Sequence, residues 1–169
     1  MTRTETDLLG SRDVPAGAYW GIHTLRATEN FRLAGRPVRP ALVRALAMVK
    51  RACVRANAEI GAIPAPTAQA VETACAEVAA GGLADQFPVD AWQGGAGTSL
   101  NMNVNEVIAN RALELLARAR GDYAVVHPIG TVNLHQSTND TVPTAARVAA
   151  ILGLRELSAA VAALQGACQ

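Results

Sequence analysis

A chain of 169 residues is long enough for a domain with a real core, and its formal charge of +1 gives no field that would draw nucleic acid or an acidic membrane surface. Half of its residues are hydrophobic but only 4% are aromatic, so alanine and leucine must fill the interior, which points to packed helices. Three cysteines (Cys53, Cys75 and Cys168) form an odd set without metal-ligand spacing, and the opening "MTRTETDLLGSRD" has no apolar signal region; both imply reduced thiols and a cytoplasmic setting.

Residues 1–39 read as an irregular arm with room for a short hairpin, punctuated by Pro15, Gly17, Gly21, Gly35 and Pro37. Within it "YWGIHTLRATENF", Tyr19 to Phe31, shows no clear period. A helix is predicted from Pro40 to Ile60, with Leu42, Leu46, Val49, Cys53 and Ile60 as its apolar stripe and Arg44, Lys50, Arg51 and Arg55 in solvent. Gly61 and Pro64 stop it. A second helix begins near Thr67 as N-cap, buries Val71, Cys75 and Val78, and ends at Gly81 and Gly82.

The stretch "DQFPVDAWQGGAG" is a loop, and a third helix runs from Thr98 or Ser99 to about Ala119. Val104, Val107, Ile108, Leu115 and Ala119 supply its stripe, and Gly121 stops it. After a polar connector, Pro143 is expected in the first turn of a last helix that continues to Gln169. Leu154, Leu157, Val161, Leu164 and Cys168 repeat at alternating spacings of three and four, and Ile151 and Leu152 widen the seam. A helix so apolar belongs inside a bundle, so the chain is expected to be the N-terminal part of something longer. Its large side chains are each worth about 1.5–3 kcal/mol when buried, so the isolated chain should self-associate. No run of about 18 consecutive apolar residues is present, and no membrane span is expected.

Two helix entrances share one chemistry. "GGAGTSLNMNVNE", Gly94 to Glu106, places glycines and then Thr98 and Ser99 before a helix, with Asn101 and Asn105 on one face. "HQSTND", His135 to Asp140, places Ser137, Thr138 and Asn139 before the next. A helix start presents unpaired N–H groups and partial positive charge, which suit a carboxylate or phosphate. The competing reading is ordinary capping and turn chemistry, with the asparagines forming a buried amide network. Neither segment fits a phosphate-loop or dinucleotide fingerprint. Two clusters of neutral donors suggest a ligand with two anionic ends.

Three stretches carry a resemblance. "AYWGIHTLRATENF", "DQFPVDAWQGGAGTSLNMNVNEVIAN" and "VNLHQSTNDTVPT" are similar to signature segments of the aspartase/fumarase superfamily, and within it of the aspartate ammonia-lyases. The His23-Thr24-Leu25-Arg26 and Ser137-Thr138-Asn139 forms resemble aspartases more than fumarases.

The resemblance implies a mainly α fold: an N-terminal lyase domain over 1–136, made of the arm 1–39, helices to about 120 and a connector. The start of a central helical bundle follows over 137–169. It implies a homotetramer whose sites are shared between subunits, with no cofactor, metal, nucleic acid or membrane required. The reaction implied is reversible elimination of ammonia from L-aspartate to give fumarate. Thr98, Ser137, Thr138 and Asn139 would bind the substrate, with Ser99, Asn101 and Arg26 behind them. The family's Gly-Ser-Ser-x-x-Pro-x-Lys-x-Asn loop, which supplies the serine base, is absent from these residues, so no catalytic residue is expected among them and the chain alone should be inactive. His127-Pro128 resembles a secondary anion site of fumarases, although Ile129 and Gly130 replace the polar residues expected next. A fumarase-type hydratase and a non-catalytic helical association module are the competing functions.

Overall fold

The computed structural model describes residues 1–169 and is mainly helical. An antiparallel hairpin opens it, β1 (Thr2–Asp7) and β2 (Gly10–Pro15), with Thr2 opposite Pro15 and Asp7 opposite Gly10. Helices follow at Ile22–Asn30 (α1), Pro40–Glu59 (α2), Ala65–Ala79 (α3), Thr98–Leu115 (α4) and Thr138–Cys168 (α5). A 3₁₀ turn over Ala84–Gln86 and a π turn over Pro128–Val132 sit in the connections. The arm is therefore more ordered than its punctuation suggests, since α1 occupies the stretch that shows no period.

The core lies among α2, α3 and α4, joined by the first turns of α5. Leu46, Val71, Cys75, Val78, Val104, Val107, Ile108 and Leu113 are its buried centre. The face of α2 differs from the expected stripe. It buries Val43, Leu46, Ala47, Lys50, Val54 and Asn57, while Ile60 is exposed just past the helix end. These positions recur at spacings of three and four, so Lys50 belongs to the apolar row and is wholly buried, not solvated.

Thr67 does not cap α3, which begins at Ala65 behind Pro64. The end of α4 is nearer than expected, because Leu116 closes it and Ala117 turns left-handed with φ 56°. Leu115, expected in its stripe, is exposed instead.

Along α5 only Thr141 and Ala145 are buried. Beyond Ala149 the helix has no partner within the chain, and Leu154, Leu157, Val161 and Leu164 are more than half exposed. The bundle expected around it is therefore not formed by these residues. Over an 18-residue window α5 has a mean hydropathy of 1.5, so by length and composition alone it is apolar enough to cross a bilayer, although no run of about 18 consecutive apolar residues occurs in it. Arg155 and Glu156 stand in its middle, and acidic or basic groups at a bilayer centre cost roughly 2.5–3.5 kcal/mol each. A helix bundle carries no such cost, since both can point outward.

Candidate functional site

The entrance of α4 is built from glycine and from one remote amide. Gly97 precedes the helix with φ 85°, and a Cβ there would lie 2.9 Å from Val142 Cγ1 on α5. That close approach brings the starts of α4 and α5 side by side. Neither Thr98 nor Ser99 caps the helix. The Leu100 N–H donates to Gln93 Oε1 at 2.7 Å, so Gln93 does the capping from the loop. The hydroxyl of Thr98 is exposed and uncommitted, and Ser99 is half-buried beside it.

The entrance of α5 lies earlier than the proline indicates. Ser137 is the N-cap, its Oγ accepting the Asn139 N–H at 3.2 Å, and the helix starts at Thr138. Pro143 stands inside the helix, where it cannot supply the N–H that would close on the Asn139 carbonyl. Exposed Asn139 makes no side-chain hydrogen bond within the chain, and the Ser137 O–H remains free to donate.

A buried amide hub joins the two entrances. Asn101 Nδ2 donates to Thr138 Oγ1 and to Asn133 Oδ1, both at 3.1 Å, and Thr141 Oγ1 donates to Asn101 Oδ1 at 3.5 Å. Because Thr138 Oγ1 accepts from Asn101, its own hydrogen is left for another partner. Asn133 Oδ1 also receives Lys50 Nζ at 2.6 Å and Asn105 Nδ2 at 3.3 Å. Asn101 is 2% exposed, so it orients Thr138 from behind and has no access to a ligand. The expected buried amide network therefore exists alongside the uncommitted hydroxyls. It leaves Asn103 Oδ1 and Asn105 Oδ1 buried without a donor in the chain.

Helix α2 holds the loop before α5 at two points. Lys50 Nζ reaches Asn133 Oδ1 and, at 3.0 Å, Gln136 Oε1. Asn57 Nδ2 donates to the Leu134 carbonyl, and its Oδ1 lies 2.8 Å from His135 Nδ1. His135 sits at φ 59°, a left-handed backbone that this pairing helps to hold.

Lys50 has no carboxylate partner, and burial pushes its ammonium down to about 7. Its two bonds use the two hydrogens of a neutral amine. Between about 7 and the ordinary lysine value of 10.5 the unfolded chain holds one more proton than the folded one. Stability should therefore rise with pH across that window, by up to about 1.4 kcal/mol per unit, while the full burial penalty applies below it. Lys50→Met is expected to flatten that slope in urea denaturation midpoints measured from about pH 7 to 9. An unchanged slope would remove Lys50 as its source.

The remaining wall comes from α1, whose start is capped from a distance. Glu106, on α4 and 1% exposed, accepts the N–H groups of Gly21 (2.9 Å), His23 (2.8 Å) and Thr24 (3.1 Å) and the Thr24 hydroxyl (2.6 Å). Glu5 Oε2 takes the Ile22 N–H at 2.9 Å. Two carboxylates thus satisfy the orphan donors of α1. Burial raises the Glu106 carboxyl above the usual range, and the Thr24 hydroxyl leads the donors that oppose it. Gly21 is required here, since a Cβ would meet Glu5 Oε2 at 2.5 Å and Tyr123 Oη at 2.6 Å.

Helix α1 then presents Arg26 and His23. Arg26 is tied to Asp7 by two bonds of 2.8 and 2.9 Å, and this pairing holds the Asp7 carboxyl below its ordinary value. With Ser99, both residues line a cavity of about 500 Å³, and a neighbouring one of about 650 Å³ runs from Asp7 past Met102 to His127. His127 Nδ1 accepts the N–H groups of Ile129 and Gly130 at 3.0 Å, so the ring caps the π turn.

Lys50, Asn133 and Gln136, which support the two entrances, and Glu106, which caps α1, are not among the residues singled out from sequence. The signal for Lys50 is its place on the α2 apolar row. Asn133 and Gln136 carry none beyond proximity to Ser137, and Glu106 only its place in the Gly94–Glu106 stretch.

A family model described as lyase matches residues 10–169. An aspartate ammonia-lyase of Pseudomonas aeruginosa is 52% identical over 165 residues, which cover 96% of this chain and 35% of that protein. The crystal structure of a fumarate lyase:delta crystallin from Brucella melitensis superposes with a TM-score of 0.88 at 57% identity, covering 89% of this chain and 34% of that one. A class II fumarase from Schistosoma mansoni gives 0.83 at 38% identity, over 88% and 32% of the two chains. The chain thus spans about a third of the length of the relatives it matches. With the helical fold and both signature entrances in place, the chain belongs to the lyase family and shares about half of its residues with aspartate ammonia-lyases.

Proposed function

We propose that these residues form the substrate-gripping part of an aspartate ammonia-lyase, which eliminates ammonia from L-aspartate to give fumarate. One observation carries the reading. The hydroxyls of Thr98, Ser137 and Thr138 and the amide of Asn139 stand at two adjacent helix starts with hydrogens that no group in the chain accepts. Neutral donors at positive helix ends suit the two carboxylates of a four-carbon diacid.

Loss of a proton from the carbon beside the side-chain carboxylate spreads negative charge onto that carboxylate. Fixed dipoles aimed at it stabilise the developing charge without moving protons themselves. Thr98 holds one carboxylate, and Ser137, Thr138 and Asn139 hold the other end. Asn101 and Arg26 support the array. The groups that move protons lie outside these residues, in the remaining two thirds of a chain of the relatives' length, and the apolar face of α5 packs with copies of itself in an oligomer.

The test is an assay of ultraviolet absorbance for fumarate. Residues 1–169 alone should convert no L-aspartate, and the chain completed to the length of its relatives should do so. Turnover by the 169-residue chain would overturn the division of labour. A completed chain that hydrates fumarate to malate and ignores L-aspartate would favour the fumarase reading.

A further inference from the structure

Between Glu29 and Glu59 the chain has no acidic residue but seven basic ones, although its overall charge is only +1. Three of the seven are accounted for. Lys50 is buried in the amide hub, and Arg51 and Arg55 lie 3.0 and 3.8 Å from Glu72. The other four, Arg32, Arg36, Arg39 and Arg44, take part in none of the chain's ion pairs. Arg32 Nε donates to the Thr28 carbonyl at 3.1 Å, and the other three guanidinium groups make no hydrogen bond.

These four arginines line two cavities that share Pro37 as a wall residue. The first, of about 220 Å³, opens between the start of α2 and the end of α3, with Val38, Val43, Val78 and Phe87 as an apolar floor and Arg39 and Arg44 at its edge. The Arg44 guanidinium lies against Gly81, with Nη2 2.8 Å from where a Cβ would stand. The second, of about 340 Å³, is lined by Arg32 and Arg36 together with Thr28, Phe31 and Pro88. Its carboxylate, Asp90, already accepts the N–H groups of Ala34, Gly35 and Trp92. Arg39 is also the residue before α2, so the positive end of a 20-residue helix adds to the field.

We propose that these two neighbouring cavities together bind a nucleotide-type anion, with its flat ring on the apolar floor of the first and its phosphates passing Pro37 to Arg36 and Arg32. Guanidinium groups both stack on rings and grip phosphate oxygens in pairs, which is the combination four unpaired arginines around an apolar compartment can supply. An inorganic anion would leave the apolar floor uncovered, and a neutral ring would leave the arginines unused. None of the lining residues belongs to the hydroxyl array around Thr98 and Ser137, so the binding does not depend on the proposed lyase reaction.

Calorimetric titration of the full chain in chelator, at low salt, tests this with ATP, adenosine and tripolyphosphate as probes. ATP is expected to bind with Kd below about 1 mM and more tightly than either fragment. Arg44→Gln and Arg36→Gln, each with an unchanged circular dichroism spectrum, should weaken ATP about tenfold, and Arg118→Gln, a cation elsewhere on the surface, should not. Equal affinity for ATP and tripolyphosphate would reduce the site to unspecific charge attraction and overturn the proposal. So would absence of heat with all three probes, or equal weakening by Arg118→Gln.

Discussion

Replacing Glu106 by alanine is expected to cost about 3–5 kcal/mol of stability, a large part of the roughly 5–15 kcal/mol that holds a typical domain together. The carboxylate accepts three backbone N–H groups and one hydroxyl at the start of α1, all in a setting from which solvent is excluded. Each buried donor left unpaired costs about 1–3 kcal/mol, and water entering the space recovers part of that sum. Glu106→Gln separates shape from chemistry. It keeps the volume but turns an NH₂ group toward donors, so it should lose more than half of what alanine loses. Urea unfolding followed by helical circular dichroism reads both values. A loss below about 1 kcal/mol for alanine would mean that hydrophobic docking through Ile22 suffices to hold α1. The consequence reaches the candidate site, since α1 carries Arg26 and His23 to the cavity they share with Ser99.

Why α1 escapes a reading by period is visible in the same contacts. Only Ile22 and Thr24 are buried along it, so it has no apolar stripe for a period to mark. Its stability comes from carboxylates far away in the chain, Glu5 and Glu106, and such capping leaves no local pattern. Helices α2, α3 and α4 are legible because each buries one face in a common core, and Gly81 and Pro64 mark ends by backbone geometry alone. The rotation of the α2 stripe by one residue follows from assigning Lys50 to solvent, since charge at a core position is the rarer arrangement.

The α5 entrance shifts for a different reason. Proline favours a first turn, but it does not prevent a helix from starting earlier when a better cap precedes it. Ser137 is that cap: its Oγ takes the Asn139 N–H, so the helix is already under way when it reaches Pro143. At the α4 entrance Thr98 and Ser99 are equally able to cap by residue type, and only the reach of Gln93 to the Leu100 N–H distinguishes the cases. The types of residue at both entrances are legible in the sequence. Their juxtaposition through Asn101 and Asn133 is not, because it depends on how α2 anchors a loop more than 80 residues away, as the Lys50 to Asn133 bond shows.

Thr98→Ala and Asn139→Ala, introduced into the completed enzyme, are each expected to lower turnover of L-aspartate at least about tenfold. Removing one preorganised donor aimed at developing charge costs about 2.7–4 kcal/mol in comparable sites, so a loss nearer a hundredfold is within the same physics. Structural damage should be slight. Thr98 caps nothing, because Gln93 does, and the Asn139 side chain bonds to nothing in the chain. Thermal midpoints should therefore stay close to the parent's while kcat falls. Ser137→Ala is different, because it also removes a helix cap worth about 1 kcal/mol, so it should lose both stability and rate. Thr138→Val keeps the shape but removes the hydrogen left for substrate and the oxygen that accepts the buried Asn101 N–H, so it should lose rate as Asn139→Ala does and stability as well. If Thr98→Ala and Asn139→Ala leave kcat and KM unchanged, the uncommitted donors at the two helix starts do not meet the substrate, and another surface of the assembled enzyme must hold its carboxylates.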